Sequence, residues 1–202
     1  METTKIAIEY GAEDPLWQSL KAGDSAAFGR IFHENYRPLF NYGCRINKDQ
    51  EEVKDCIQLL FLKIWESRER LGASDNIRNY LYSSLRRLII KRMRSDSNLF
   101  VEIDQASVAF HADLSIESTF IQDETSKQDI LSLQTALEKL PARQKEALFL
   151  KYYGGHSFPD ISQIMGISTR AVYKLIYKGL DSLQAELKPK VRQIPHLLSL
   201  LF

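Results

Sequence analysis

A short stretch near the C-terminal end of the chain combines basic and aromatic side chains at helical spacing. Arg170, Tyr173, Lys174 and Tyr177 recur at i, i+3, i+4 and i+7, with Lys178 beside them. A helix therefore places them on one face. Arginine and lysine can pair with guanine or phosphate, and tyrosine can donate to phosphate or pack on a thymine methyl. This face has the chemistry expected of a helix that lies in the major groove of DNA.

The preceding residues predict the helix-turn-helix that would position this face. Ser157 can cap one short helix, with Pro159 in its first turn, and Gly166 suits the left-handed residue of a sharp turn. Ser168 then caps the second helix. Because the first turns of such a helix touch base edges, Ser168 and Thr169 join the DNA-binding candidates. A plain helical hairpin with a solvated basic face would show the same pattern.

The N-terminal half carries apolar residues at helical spacing in three successive segments, 24–46, 49–71 and 74–94. The first has a plausible N-cap at Asp24 or Ser25. No alternation typical of β-strands competes with the helical period. We therefore predict an all-α protein, with three or four helices in an N-terminal bundle and a second helical domain in which Pro141 starts a new helix.

Several side chains lie off the main apolar face of the second segment. They are three apolar residues, Leu59, Leu62 and Trp65, interleaved with polar Asp55, Gln58 and Glu66. One interpretation is a helix that is buried on two sides. The other is a partner-binding face, an apolar patch with a polar rim.

Charge is segregated along the chain, although the net charge is only +1. The stretch RRLIIKRMR (86–94) holds five basic residues and no acidic one, whereas residues 95–131 hold eight acidic residues and one lysine. We predict that residues 96–130 are an irregular acidic linker between the two helical domains. An acidic loop folded onto one of the domains is the alternative.

Composition excludes several classes of protein. The hydrophobic fraction of 44% and the charged fraction of 26% are ordinary for a globular chain. Cys44 and Cys56 form no CxxC pair and do not cluster with histidines, so neither a disulfide framework nor a metal site is expected. No segment has the pattern of a secretory signal or the length of a membrane span. We expect a cytoplasmic protein without a cofactor and without direct membrane insertion.

The order of these pieces resembles a bacterial RNA polymerase sigma factor. The pieces follow one another along the chain in this order: DCIQLLFLKIWE, IRNYLYSSLRR, an acidic stretch, LPARQKEALFLKYYGGHSF and a helix-turn-helix. The resemblance is to the small extracytoplasmic-function (ECF) type, which keeps only sigma domains two and four. It implies domain two in residues 1–95, the linker in 96–130, domain four in 131–188 and an additional apolar tail in 189–202. The implied partners are core RNA polymerase, through its β′ and β subunits, promoter DNA, and an anti-sigma factor.

The resemblance also implies roles for particular residues. Asp55, Ile57, Gln58, Phe61 and Trp65 match the pattern of the helix that docks on the clamp helices of the β′ subunit. The polymerase-binding candidates are Asp55, Gln58, Leu59, Phe61, Leu62 and Trp65. Leu59 stands where the family often has Glu.

The stretch after Asn76 resembles the family's promoter-melting segment, in which Asn79, Tyr80 and Tyr82 match the pattern and Arg86-Arg87 replaces the usual Arg-Asn. Aromatic faces hold unstacked bases, and neighbouring cations hold the backbone of an open strand. The strand-opening candidates are Asn79, Tyr80, Tyr82, Arg86, Arg87 and Lys91. These tyrosines could instead belong to the core of the bundle. The helix from Ser168 resembles the one that recognises the upstream (−35) element.

Two other classes of protein remain at this point. One is a stand-alone helix-turn-helix regulator whose N-terminal half dimerises or binds an effector. The other is an enzyme that uses the helical bundle, which the absence of an ExxH pair, a Gly-rich phosphate loop or a nucleophile-base motif argues against. We therefore predict a sigma factor that directs promoter-specific initiation and is not itself an enzyme.

Overall fold

The structure, a computed structural model, describes residues 13–96, 109–111 and 132–187. Within these ranges every regular element is helical, as predicted. The elements are α1 (Pro15–Lys21), α2 (Ser25–Ile46), α3 (Gln50–Ser67), a 3-10 turn (Arg68–Arg70), α4 (Ile77–Asp96), α5 (residues 132–138), α6 (Ala142–Tyr152), α7 (Phe158–Met165) and α8 (Thr169–Leu187). None of these helices is long and apolar enough to cross a membrane.

Helices α2, α3 and α4 pack around one apolar core, and α1 packs on α2. Ile31, Ile57, Leu81 and Leu85 from the predicted helical stripes are at most 1% exposed. Full burial of one such side chain contributes about 1.5–3 kcal/mol. Gly43 allows the close approach of α2 and α3, because a Cβ at this position would lie 2.6 Å from Cγ1 of Val53.

Local capping starts the helices where the sequence predicts. Asp24, one of the two N-cap candidates, accepts hydrogen bonds from the backbone N–H groups of residues 26 and 27. Ser157 and Asp160 form a reciprocal capping box at α7, and Ser168 accepts from the N–H of Ala171 at 3.3 Å. Gly166 ends α7 with φ 64°, in the left-handed region that glycine favours. The predicted helix-turn-helix is therefore present as α7 and α8.

The two halves of the chain pack against each other, chiefly through α4 and α7. Phe110, which falls in the predicted linker, is 3% exposed and lies 6.2 Å from the ring of Tyr42 and 5.6 Å from that of Phe149. Residues 109–111 thus contact both halves. Most of the predicted linker, 96–130, and the whole predicted tail, 189–202, lie outside the described residues, so their assignments stay predictions.

Candidate nucleic-acid and polymerase interfaces

The outer surface of α3 combines exposed apolar and polar groups. Leu62 is 52% exposed, Leu59 and Trp65 are half-buried, and Asp55 and Gln58 are exposed. The helix is therefore not buried on two sides, and these five side chains form an amphipathic patch, which we call the α3 patch.

The sixth candidate on this helix, Phe61, lies underneath the patch. It is 2% exposed, and its ring packs edge-on against Phe28 at 5.9 Å and Phe32 at 4.9 Å. Phe61 can therefore support the α3 patch but offers almost no surface to a partner. Trp65 is held from the side by Phe28 at 5.0 Å and by the guanidinium of Arg68, 4.6 Å from the indole ring.

The six strand-opening candidates on α4 fall into two groups. Arg87 and Lys91 are exposed, and Tyr80 is half-buried against the ring of Trp17 at 5.0 Å. Asn79, Tyr82 and Arg86 are 6%, 0% and 2% exposed. The sequence alone did not decide whether these tyrosines lie in the core or at the surface. In the structure Tyr82 is buried in the core and Tyr80 lies at the edge of the core.

Arg86 is buried in an ion pair that joins the two halves of the chain. Its Nε donates to Oε1 of Glu146 at 2.8 Å, and its Nη2 donates to Oε2 of Glu146 at 3.2 Å. The hydroxyl of Tyr42 donates to the same Glu146 at 2.6 Å. Burial raises the pKa of Tyr42 well above its ordinary value, and the charge of Glu146 raises it further. Tyr42 therefore remains a protonated donor, and the carboxylate is satisfied from both sides.

Further contacts flank this ion pair along α4. The side-chain nitrogen Nδ2 of Asn79 donates to Oε1 of Gln163 on α7. Just before α4, Nδ2 of Asn76 donates to Oδ1 of Asp160 at 3.2 Å. The ring of Tyr82 lies 4.6 Å from that of His156, edge to face. Each of the three buried candidates on α4 thus contacts a residue of the C-terminal half.

The outward face of α8 is exposed as predicted. Tyr173 is 43% and Tyr177 is 58% exposed, and Arg170, Lys174 and Lys178 are exposed beside them. The structure brings these five side chains together at the helix whose N-terminus Ser168 caps, with half-buried Thr169 in its first turn.

Phe158 was not among the candidates, yet it contacts this face. Its ring stacks on Tyr173 at 4.0 Å, and Tyr173 in turn stacks on Tyr177 at 6.2 Å. The ammonium of Lys151 lies 4.8 Å from the Phe158 ring. The turn places Phe158 beside α8, and the sequence signal that could have shown it is its place next to the capping residue of α7.

The described residues contain no group of three or more His, Cys, Asp or Glu side chains that could hold a metal ion. The described residues form a two-part helical protein with a helix-turn-helix in one part and an exposed amphipathic patch in the other. A helix-turn-helix with a basic and aromatic outer face is typical of DNA-binding proteins.

Comparison with known proteins identifies the family. Residues 31–98 match the model of sigma-70 region 2, and residues 130–183 match that of sigma-70 region 4. The chain is 24% identical over 170 residues to the ECF RNA polymerase sigma factor SigL of Mycobacterium tuberculosis, covering 83% of this chain and 92% of SigL. It is 23% identical over 178 residues to the ECF RNA polymerase sigma factor SigW of Bacillus subtilis, covering 85% and 94%.

Two solved structures share the fold. CnrH, solved with the cytosolic domain of CnrY, superposes with a TM-score of 0.56 at 17% identity, covering 87% of this chain and 97% of CnrH. RpoE of Bartonella quintana, solved with the anti-sigma factor NepR, gives 0.56 at 22%, covering 81% and 98%.

The chain belongs to the sigma-70 family and is an ECF-type sigma factor. It therefore acts with core RNA polymerase to direct transcription initiation. The stand-alone regulator is not favoured, because the N-terminal half is itself a sigma domain.

Proposed function

We propose that this sigma factor divides initiation among three surfaces. The α3 patch binds the β′ subunit of core polymerase, α4 engages the opened promoter strand, and α8 recognises the upstream element, with domain four also contacting the β subunit. The observation that carries this division is the exposure of Leu62 on α3 and of the basic and aromatic face on α8. Because core polymerase and promoter DNA lie in the cytoplasm, we propose that the protein acts there. We also propose that it binds its partners without catalysing a reaction itself.

The role of the α3 patch rests on its mixed character. A protein interface needs an apolar centre that loses water and a polar rim that keeps it, and Leu62 lies between exposed polar side chains. Leu62→Glu should weaken association with core polymerase while helical content is unchanged. Gln18→Glu, which adds the same charge at an exposed position of α1, is the control. Equal co-elution of both variants with core polymerase would contradict the assignment.

The role of α8 separates base recognition from phosphate binding. Lys174 lies in the middle of the exposed face, and Lys178 lies one turn further along. We assign Lys174 to a base edge, a contact worth about 1–3 kcal/mol of discrimination between bases. We assign Lys178 to a phosphate. Loss of a phosphate contact reduces the dependence of the logarithm of affinity on the logarithm of salt concentration by about one unit. Lys174→Ala should change the rank order of transcription from a library of upstream-element variants. Lys178→Ala should lower all of them alike, and an intact rank order for Lys174→Ala would refute the assignment.

We also propose an anti-sigma factor as a further partner. The support is that CnrH and RpoE, which share this fold, were solved with CnrY and the anti-sigma factor NepR. Co-purification from the host with the wild-type chain as bait would test this partner. Recovery of polymerase subunits and of no other protein would count against it.

A further inference from the structure

Half of the strand-opening candidates are covered by the other half of the chain. Asn79, Tyr82 and Arg86 are each at most 6% exposed, and each contacts the C-terminal half: Gln163, His156 and Glu146 respectively. An open DNA strand cannot reach side chains that lie inside a packed contact. The arrangement is therefore closed with respect to the strand-opening surface, while the α3 patch and the α8 face remain exposed.

The contact on Arg86 has the geometry of a phosphate contact. A guanidinium binds carboxylate and phosphate alike through two parallel N–H donors, and Arg86 presents this fork to the two oxygens of Glu146 at 2.8 and 3.2 Å. Glu146 is 4% exposed and Arg86 is 2% exposed, so solvent does not screen the pair. The carboxylate satisfies the cation that a DNA backbone would otherwise hold.

The closed contact also has features that oppose its stability. Among the described residues, Oδ1 of Asn79 and Nε2 of His156 are buried without a hydrogen-bond partner. A buried polar atom without a partner costs free energy, and a buried ion pair adds little net stability because both charges lose water. Such a contact can be broken by a competing ligand that binds only the open form.

We propose that Glu146 is an intramolecular substitute for a DNA phosphate, which holds Arg86 and closes the C-terminal half over the strand-opening surface until this contact is broken. This proposal rests on the proposed function, since it regulates the α4 surface assigned there. Closure selectively blocks single-stranded DNA. Duplex binding through α8 does not depend on it, because the α8 face is exposed in the closed form.

The test uses the full-length chain, small-angle X-ray scattering and fluorescence anisotropy with two probes, a 20-nucleotide mixed-sequence single strand and the matching duplex. Glu146→Gln leaves the buried Arg86 without a counter-charge. It should increase the radius of gyration and tighten single-strand binding about tenfold, since apparent affinity rises with the open fraction. Duplex binding should change less than about twofold. Glu138→Gln, at an exposed position of α5, removes the same charge and should change neither.

A second variant guards against misfolding of domain four. Gln163 is exposed on α7 and accepts from Asn79, so Gln163→Ala loosens the contact without changing charge or either core. It should tighten single-strand binding about threefold, as expected for one lost hydrogen bond. The control is Gln184→Ala at an exposed position of α8.

The outcomes separate the proposal from the function on which it rests. Closure would be overturned as an inhibitory device if the wild type is extended in solution, or if the variants expand without gaining affinity for the single strand. Neither result would contradict the proposed function, provided that the wild type still directs transcription. If neither wild type nor variants bind the single strand, although the variants expand, the assignment of strand binding to α4 is wrong and the inhibition falls with it.

Discussion

His156 predicts that acid weakens the contact between the two halves. The imidazole is 4% exposed and faces Tyr82 from α4 at 4.6 Å. The pKa of His156 is lowered from 6.5 to about 4, chiefly by burial and also by the charge of Arg78, while Asp160 opposes the shift. From α6, Lys151 approaches the backbone oxygen of His156 at 3.5 Å. The folded protein therefore favours the neutral imidazole.

The sign and size of the effect follow from this depressed pKa. The contribution of neutral His156 to stability is complete above pH 6.5 and is lost progressively as the pH falls towards 4. One pKa unit corresponds to about 1.4 kcal/mol, so the shift amounts to at most about 3 kcal/mol, of which about 2 kcal/mol is lost at pH 5. Near pH 7 the effect is negligible.

The assay is urea unfolding of the wild type and of His156→Gln at pH 7.5 and pH 5.0. Carboxylates titrate in both proteins, so the difference between the two pH dependences isolates the imidazole. The wild type should lose about 2 kcal/mol more of its free energy of unfolding than the variant. Equal losses would show that His156 titrates normally and that the contact leaves it accessible to water.

Two further predictions concern packing and promoter recognition. Gly43→Ala should lower the free energy of unfolding in urea by about 1–3 kcal/mol, because the new methyl would meet Val53 at 2.6 Å. Gly29→Ala on the same helix, with nothing within 4 Å of the new methyl, should raise the free energy of unfolding by about 0.5–1 kcal/mol. Equal effects of the two substitutions would contradict the close packing of Gly43 against Val53. Phe158→Ala removes the ring stacked on Tyr173 at 4.0 Å, so transcription from a library of upstream-element variants should change in rank order with helical content unchanged; an unchanged order would show that the stack does not position Tyr173.

Local features of the fold were predictable because they depend on neighbouring residues. The caps at Asp24 and Ser157 and the left-handed Gly166 follow from side-chain chemistry within a few positions. The helical period likewise placed Ile57 and Leu85 in the core. Helix α1 was not predicted, because its seven residues span too few turns to show a period.

The surroundings of α4 were not predictable, because they depend on residues far along the chain. Arg86 looks like a surface cation in its own segment, and its partner Glu146 lies 60 positions away. Phe61 shows the opposite case, since it matches a docking pattern by sequence but is buried by rings from α2. Helical periodicity identifies faces of a helix but not which neighbour covers them.

The function as a sigma factor can be tested by transcription from fragmented genomic DNA of the host bacterium, with purified core RNA polymerase and this chain. Adding the chain should produce 5′ ends at a defined set of sites that share two separated sequence elements. Core polymerase alone should not produce these ends. The same scattered ends with and without the chain, together with nanomolar binding of duplex DNA by the chain in the absence of polymerase, would contradict it, because unaided contacts to phosphate give only about 10⁻⁴ to 10⁻⁶ M.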